Sequence, residues 1–329
     1  MLGNESTNND LADELIRGDR RSLARAITLV ESTRSDHRTQ AVELVDSLLP
    51  HTGTAVRVGI SGPPGVGKST FIEAFGMHLC GLGLKVAVLA VDPSSSRSGG
   101  SILGDKTRMD RLARDPKAFI RPSPAGTELG GVARRTREAM LVCEAAGFDV
   151  VIIETVGVGQ SELAVADLVD VFVLLASPSG GDDLQGIKRG IMELADLVVV
   201  TKADGQLASS ANHAAADLRR ALHLLHPRYE GLSVDVILVS SPNNIGISEV
   251  WEHVRSIQQH LKDSGQLDGL RSHQATAWMW DELRSGLMDR FRSDPHTKAL
   301  LAELEPRVRR GELTPTSAAL RLLGGPEAH

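Results

Sequence analysis

Gly62-Pro63-Pro64-Gly65-Val66-Gly67-Lys68-Ser69-Thr70 fits the pattern G-x-x-x-x-G-K-[ST]. The apolar run Val56-Arg57-Val58-Gly59-Ile60 precedes it, and the helical pattern Phe71-Ile72-Glu73-Ala74-Phe75-Gly76-Met77 follows. A glycine-rich loop between a strand and a helix is the context that defines a P-loop. A triphosphate tail is polyanionic, and backbone N–H groups converging at a helix N-terminus suit it. Gly62, Gly65 and Gly67 permit a tight path and close approach of backbone to oxygen. Pro64, Val66 and Thr70 complete the cradle. Lys68 is expected to reach the β- and γ-phosphates, and the Ser69 hydroxyl to ligate magnesium.

From Val56 onward, short apolar runs alternate with helical periodicity, which predicts an α/β fold with a mostly parallel sheet. The expected strands are residues 56–60, 85–91, 118–121, 150–154, 169–176, 197–201 and 234–239. Their continuous Val/Ile/Leu content implies burial on both faces. Apolar residues spaced by threes and fours predict three short helices before residue 54, behind a polar stretch of about nine residues expected to be disordered. After Ser248 the pattern is helical again and predicts a long arm. The organisation expected is thus an N-terminal helical segment (1–54), a P-loop domain (55–255) and a C-terminal helical arm (256–329). Trp278 and Trp280 lie in that arm, and residues of this kind favour buried contacts and subunit interfaces.

Composition narrows the function. The 329 residues carry a net charge of −6, so there is no basic excess for a nucleic-acid backbone and none is expected as partner. The two cysteines, Cys80 and Cys143, sit in apolar or helical stretches and read as buried thiols of a reducing compartment. Met1 to Asp10 has no apolar signal region, and no apolar run approaches the ~20 residues of a membrane helix. A cytoplasmic protein without membrane association is the expectation.

In an open parallel sheet, ligands bind outside the carboxyl ends of the strands. The second strand ends in Val91-Asp92-Pro93-Ser94-Ser95-Ser96, where Asp92 can hold magnesium or its water shell, although Asp-Pro-Ser is also ordinary turn chemistry. The run Val150-Val151-Ile152-Ile153 ends in Glu154-Thr155-Val156-Gly157, the place of the acidic magnesium residue and of a glycine N–H facing the γ-phosphate. Leu197-Val198-Val199-Val200 delivers Thr201-Lys202-Ala203-Asp204. A carboxylate there accepts two hydrogen bonds from the N1–H and N2–H₂ edge of guanine, whereas adenine leaves it unpaired. Lys202 is expected to stack along the base. Threonine stands at 201 where such motifs usually carry asparagine, keeping a hydroxyl but losing the amide. The last strand runs into Ser240-Ser241-Pro242-Asn243-Asn244, a polar loop able to meet the guanine O6. The ligands expected are therefore GTP and GDP with Mg²⁺.

Four stretches together resemble the MeaB/ArgK family of the G3E group of P-loop GTPases. They are Val91-Asp92-Pro93-Ser94-Ser95, Gly104-Asp105-Lys106-Thr107-Arg108-Met109, Glu154-Thr155-Val156-Gly157-Val158-Gly159-Gln160-Ser161-Glu162 and Gly181-Asp182-Asp183-Leu184-Gln185-Gly186-Ile187-Lys188. The resemblance covers nearly the whole chain. It implies a homodimeric GTPase chaperone for an adenosylcobalamin-dependent acyl-CoA mutase, coupling GTP hydrolysis to cofactor loading, protection and reactivation. It places Asp105 beside Asp92 and Glu154 around magnesium, among the catalytic residues with Lys68, and Asp182, Gln185 and Lys188 in a loop that relays nucleotide state to the mutase. Thr201 and the lead-in Ser177-Pro178-Ser179-Gly180-Gly181 depart from the family pattern. Two rivals are a kinase that phosphorylates a transport protein and a nickel-insertion GTPase; the scattered 11 histidines and absence of C-x-x-C disfavour the second.

Overall fold

β1, Val56–Ser61, is buried at every position, as a strand covered on both faces must be. It lies inside a seven-stranded sheet with β2 (Val86–Val91), β3 (Ala118–Arg121), β4 (Val150–Thr155), β5 (Val171–Ala176), β6 (Leu197–Val200) and β7 (Asp235–Leu238). The order is β3-β2-β4-β1-β5-β6-β7, and every pairing is parallel. The predicted strands are all present, within a few residues at their ends. The computed structural model describes residues 2–32, 34–91, 109–122, 129–155, 161–178 and 189–324.

The topology puts the P-loop at a switch point. After β1 the chain crosses to β2 and β3, returns to β4 on one side of β1, and then passes to β5 on the other. Connections that leave in opposite directions open a crevice at the carboxyl edge.

α4 (Lys68–Gly81) carries the P-loop into the core by burying Phe71, Ile72, Phe75 and Leu79. Phe71 stacks on Phe75 at 5.6 Å, and Phe75 meets Trp251 edge-on at 6.2 Å. Trp251 belongs to α10 (Ile247–Asp263), whose apolar face Ile247, Val250, Val254, Ile257 and Leu261 packs into the same core. Each such side chain contributes ~1.5–3 kcal/mol of burial. Between these elements lie α5 (Asp110–Arg114), α6 (Leu129–Ala145), α7 (Ser161–Ala166), α8 (Arg189–Met192) and α9 (Ala208–Leu222). α9 covers β6 and β7 through Ala211, Ala215 and Leu218.

At the N-terminus, α1 (Leu2–Ile16), α2 (Arg20–Val30) and α3 (Ser35–Leu48) pack on one another, and α2 and α3 on α6. Asp19 caps α2 by accepting from the Ser22 N–H at 2.7 Å. The polar stretch expected to be disordered is helical from Leu2. No proline lies between Leu2 and Ile16, so the helix anchored by buried Leu11, Ala12 and Leu15 propagates backwards once nucleated.

The chain divides into two compact units, residues 1–274 and 275–329. The first turns of α11 (Gln266–Ser293) are held within the first unit by polar contacts. Arg271 donates to Asp170 at 3.0 and 2.7 Å and to the Ala55 carbonyl at 2.8 Å, and Gln274 donates to the Val169 carbonyl at 3.0 Å. The second unit contains the remainder of α11, then α12 (Pro295–Arg309) and α13 (Pro315–Leu322), which pack together. Among the described residues, no helix is long and apolar enough to cross a membrane.

Candidate nucleotide site

The loop after β1 adopts the backbone its glycines allow. Gly65 and Gly67 have φ of 80° and 98°, a region L side chains rarely enter. At Gly62, φ is 157°, and a Cβ would stand 2.6 Å from the Leu175 carbonyl oxygen. Close approach to β5 therefore requires glycine there. Gly67 is the N-cap of α4, and no side chain caps that helix. Its first N–H groups are consequently open to an anion. Lys68 is buried at the first helical position and donates to the Gly62 and Pro63 carbonyls at 2.6 and 3.2 Å. Half-buried Ser69 and exposed Thr70 follow in the first turn, while Pro64 is exposed at the loop's tip.

β4 brings Glu154 alongside. It pairs in register with Ile60 of β1 on one side and Ala90 of β2 on the other, and is buried. The next residue, Thr155, donates to the Ser61 hydroxyl at 2.8 Å, joining the carboxyl ends of the two strands. A hydroxyl and a buried carboxylate at this edge are hard oxygen donors, which fits magnesium and not a soft metal. Asp92, Asp105, Gly157, Asp182, Gln185 and Lys188 lie outside the described residues.

β6 and β7 build the other flank. Thr201 is buried and donates its hydroxyl proton to the Val66 carbonyl at 2.7 Å, with the Ala176 carbonyl at 3.3 Å. The hydroxyl retained in place of an asparagine amide thus ties the end of β6 to the P-loop. Lys202, held at φ 54°, donates to the Gly65 carbonyl at 2.7 Å. Asp204 is half-buried, and its Oδ2 accepts from the Ser240 hydroxyl and, at 2.8 Å, from the Asn243 amide. Ser241 is half-buried and Pro242 exposed in the turn that follows. The loop after β7 is joined to the Asp204 segment through Ala203 N–H to Val239 C=O at 3.0 Å.

The structure therefore brings Gly62–Thr70, Thr201 and Lys202 into direct contact, seats Asp204 against Ser240, and sets Glu154 level with the end of the P-loop strand. The sequence displays the polar loop containing Asn243 but not the bond of Asn243 to Asp204. Only the return of the turn onto the preceding strand's end creates that bond, and no spacing rule announces it.

A phosphate cradle at the switch point of an all-parallel sheet, flanked by an acidic residue on the neighbouring strand, defines a P-loop nucleoside triphosphatase. The family model described as methylmalonyl-CoA mutase-associated GTPase MeaB matches residues 23–296. A probable GTPase of Mycobacterium tuberculosis is 54% identical over 319 residues, covering 97% of this chain and 95% of its own. The mitochondrial methylmalonic aciduria type A homolog of Mus musculus is 49% identical over 319 residues, 94% of this chain and 77% of its own. A crystal structure described as a LAO/AO transport system kinase superposes with a TM-score of 0.78 at 38% identity over 97% of both chains. The chain belongs to the MeaB family of mutase-associated GTPases, and its reaction is the hydrolysis of GTP.

Proposed function

We propose that GTP binding and hydrolysis at this site gate the loading, protection and reactivation of adenosylcobalamin in an acyl-CoA mutase of the methylmalonyl-CoA mutase type. The observation that carries this reading is the match of a mutase-associated GTPase family across residues 23–296, on a chain whose P-loop is tied to its guanine-facing flank through Thr201 and Lys202. In the proposed reaction, water attacks the γ-phosphorus in line as the bond to the β-phosphate oxygen breaks, releasing GDP and phosphate. The Lys68 ammonium exchanges its loop carbonyls for phosphate oxygens, and the N–H groups opening α4 meet the spreading charge. Ser69 and Glu154, with Asp92 and Asp105, would hold magnesium, which would supply positive charge to offset that of the phosphates. Asp204 reads the guanine edge, with Ser240, Ser241 and Pro242 beside the base and Gly157 facing the γ-phosphate. Asp182, Gln185 and Lys188 carry the nucleotide state to the mutase.

We further propose a homodimer through the C-terminal helices. Trp280, Leu283 and Leu287 repeat at helical spacing on α11 and are 51%, 46% and 55% exposed, an apolar stripe of the kind subunit contacts cover. Light scattering of Leu283→Glu should report a monomer where the unchanged chain reports a dimer; two monomers would refute the pairing.

The decisive experiment recovers the protein's partner from its native cell and measures cobalamin loading of that mutase with and without GTP. Loading that ignores GTP refutes the gating. Lys68→Ala should abolish hydrolysis, and a wild-type rate would remove Lys68 from the site. The solved relative described as a transport-system kinase sustains a second reading as a phosphotransferase. Incubation with γ-labelled GTP separates the two, because a GTPase releases free phosphate and leaves no labelled protein.

A further inference from the structure

We infer that Asn243 is a positioning residue that sets the selectivity of this GTPase for guanine, by fixing the carboxylate plane of Asp204. The inference rests on the reading of Asp204 as the base-recognising group. The Asn243 Nδ2 donates to Asp204 Oδ2 at 2.8 Å and to the Ser240 hydroxyl oxygen at 3.0 Å, and that hydroxyl in turn donates to the same Oδ2. Three side chains thus form a closed set on one carboxylate oxygen. No described residue donates to Oδ1, which stays available to a ligand.

The chemistry sets the direction of these bonds. A carboxylate accepts only, so the amide must face it with nitrogen. Two donors on Oδ2 hold the carboxylate against rotation about its last torsion, which is otherwise broad. Guanine needs that plane aligned, since N1–H and N2–H₂ approach two oxygens side by side. An acceptor already oriented avoids an ordering cost when the base arrives.

Asn243 is not needed to close its own loop. The Ser240 and Ile245 backbones exchange two hydrogen bonds at 3.0 Å, and Asn244 N–H reaches the Ser241 carbonyl at 3.3 Å. The turn is complete without the side chain, whose amide is spent on Asp204 and Ser240.

The test compares GTP, ITP and ATP as substrates by kcat/KM, using the full chain. ITP keeps N1–H and lacks the exocyclic amine, so it reports alignment of the second bond alone. Asn243→Ala is expected to lower the GTP-to-ITP ratio about tenfold, the scale of one hydrogen bond to a charged group, with the loss in KM and kcat nearly unchanged. Asn243→Asp keeps the shape while replacing the donor by a second carboxylate, and its ratio should fall at least as far. Equal losses for GTP and ITP in both variants would overturn the proposal, since a purely structural role weakens every nucleotide alike. A wild type that turns over ATP as readily as GTP would refute the role of Asp204 itself and this inference with it. A wild type that prefers GTP, beside variants that keep the GTP-to-ITP ratio, refutes the inference alone.

Discussion

Replacing Thr201 by valine deletes one oxygen and keeps the branched shape. In the folded chain that oxygen is buried, and its proton reaches the Val66 carbonyl at 2.7 Å. Valine would set a methyl group against this carbonyl, for which no other donor among the described residues is present at that distance. Leaving a buried acceptor unsatisfied costs about 1–3 kcal/mol, and one tenfold change in affinity corresponds to about 1.4 kcal/mol. The P-loop keeps its ties through Lys202 to Gly65 and Lys68 to Gly62, so the loop loosens locally and the fold persists. This single penalty divides between binding and stability, so the Kd for GTP should rise by up to about 5- to 150-fold, and the melting temperature should drop by roughly 2–4 °C for each kcal/mol that falls on the unbound fold. Fluorescent-nucleotide titration and thermal denaturation measure the two. Thr201→Ser, which keeps the hydroxyl, should recover most of both. If Thr201→Val matched the unchanged protein in affinity and in melting temperature, the tie between β6 and the P-loop would have no energetic content.

Three further outcomes follow from neighbouring contacts. Gly62→Ala places a Cβ 2.6 Å from a backbone carbonyl and should abolish nucleotide binding, read by the same titration; retained binding would show that the loop tolerates displacement. Arg57→Met leaves Glu144, whose side chain is fully buried and paired to Arg57 at 2.6 Å, without its counter-charge. It should cost about 3–5 kcal/mol in denaturant unfolding, much of it restored when Glu144→Leu is added. Asp196 has its carboxyl raised to about 7 by burial, an effect only partly offset by Arg228 at 3.4 Å and the Phe172 N–H at 2.7 Å. A raised acid keeps its proton in the native state while the unfolded chain loses it near pH 4, so stability falls as pH climbs from about 4 to about 7. Arg228→Met should push the carboxyl higher and extend that loss upward. The drop in melting temperature between pH 5.5 and 8 is then larger than in the unchanged protein, and an equal drop would refute it.

The sheet was legible because its signal is local. Each strand is a short Val/Ile/Leu run, each crossover a helical pattern, and G-x-x-x-x-G-K-S carries its own mechanism. The same holds for the position of Thr201-Lys202-Ala203-Asp204, whose place after a strand puts Thr201 and Lys202 against the P-loop carbonyls. What the sequence does not display is anything made by two distant segments meeting. Arg57 inside an apolar strand is unintelligible until Glu144, 87 positions away, is found beside it. The first turns of α11 read as the start of an arm, yet Arg271 and Gln274 bind them to Asp170, Ala55 and Val169. Helicity before Leu11 was hidden by polar composition, because helix propagation from a buried anchor does not require apolar residues at every turn.

These contacts give β1 a tether at each end, with different consequences. At its amino end, Arg57 faces Glu144, and its N–H donates to Asp170, which is bound by Arg271. Two cations and two anions cancel there. At its carboxyl end the P-loop is held by neutral hydroxyl and lysine contacts to carbonyls. The five residue steps from Arg57 to Gly62 span about 16 Å of strand, and removing the buried cation together with its anion leaves the net charge at that end unchanged. Such a paired change therefore has little electrostatic reach to a triphosphate at the other. The Arg57→Met, Glu144→Leu pair should shift unfolding while the folded protein binds GTP with unchanged Kd. A matching change in Kd would mean that the strand transmits strain along its length, and that its two tethers act as one device.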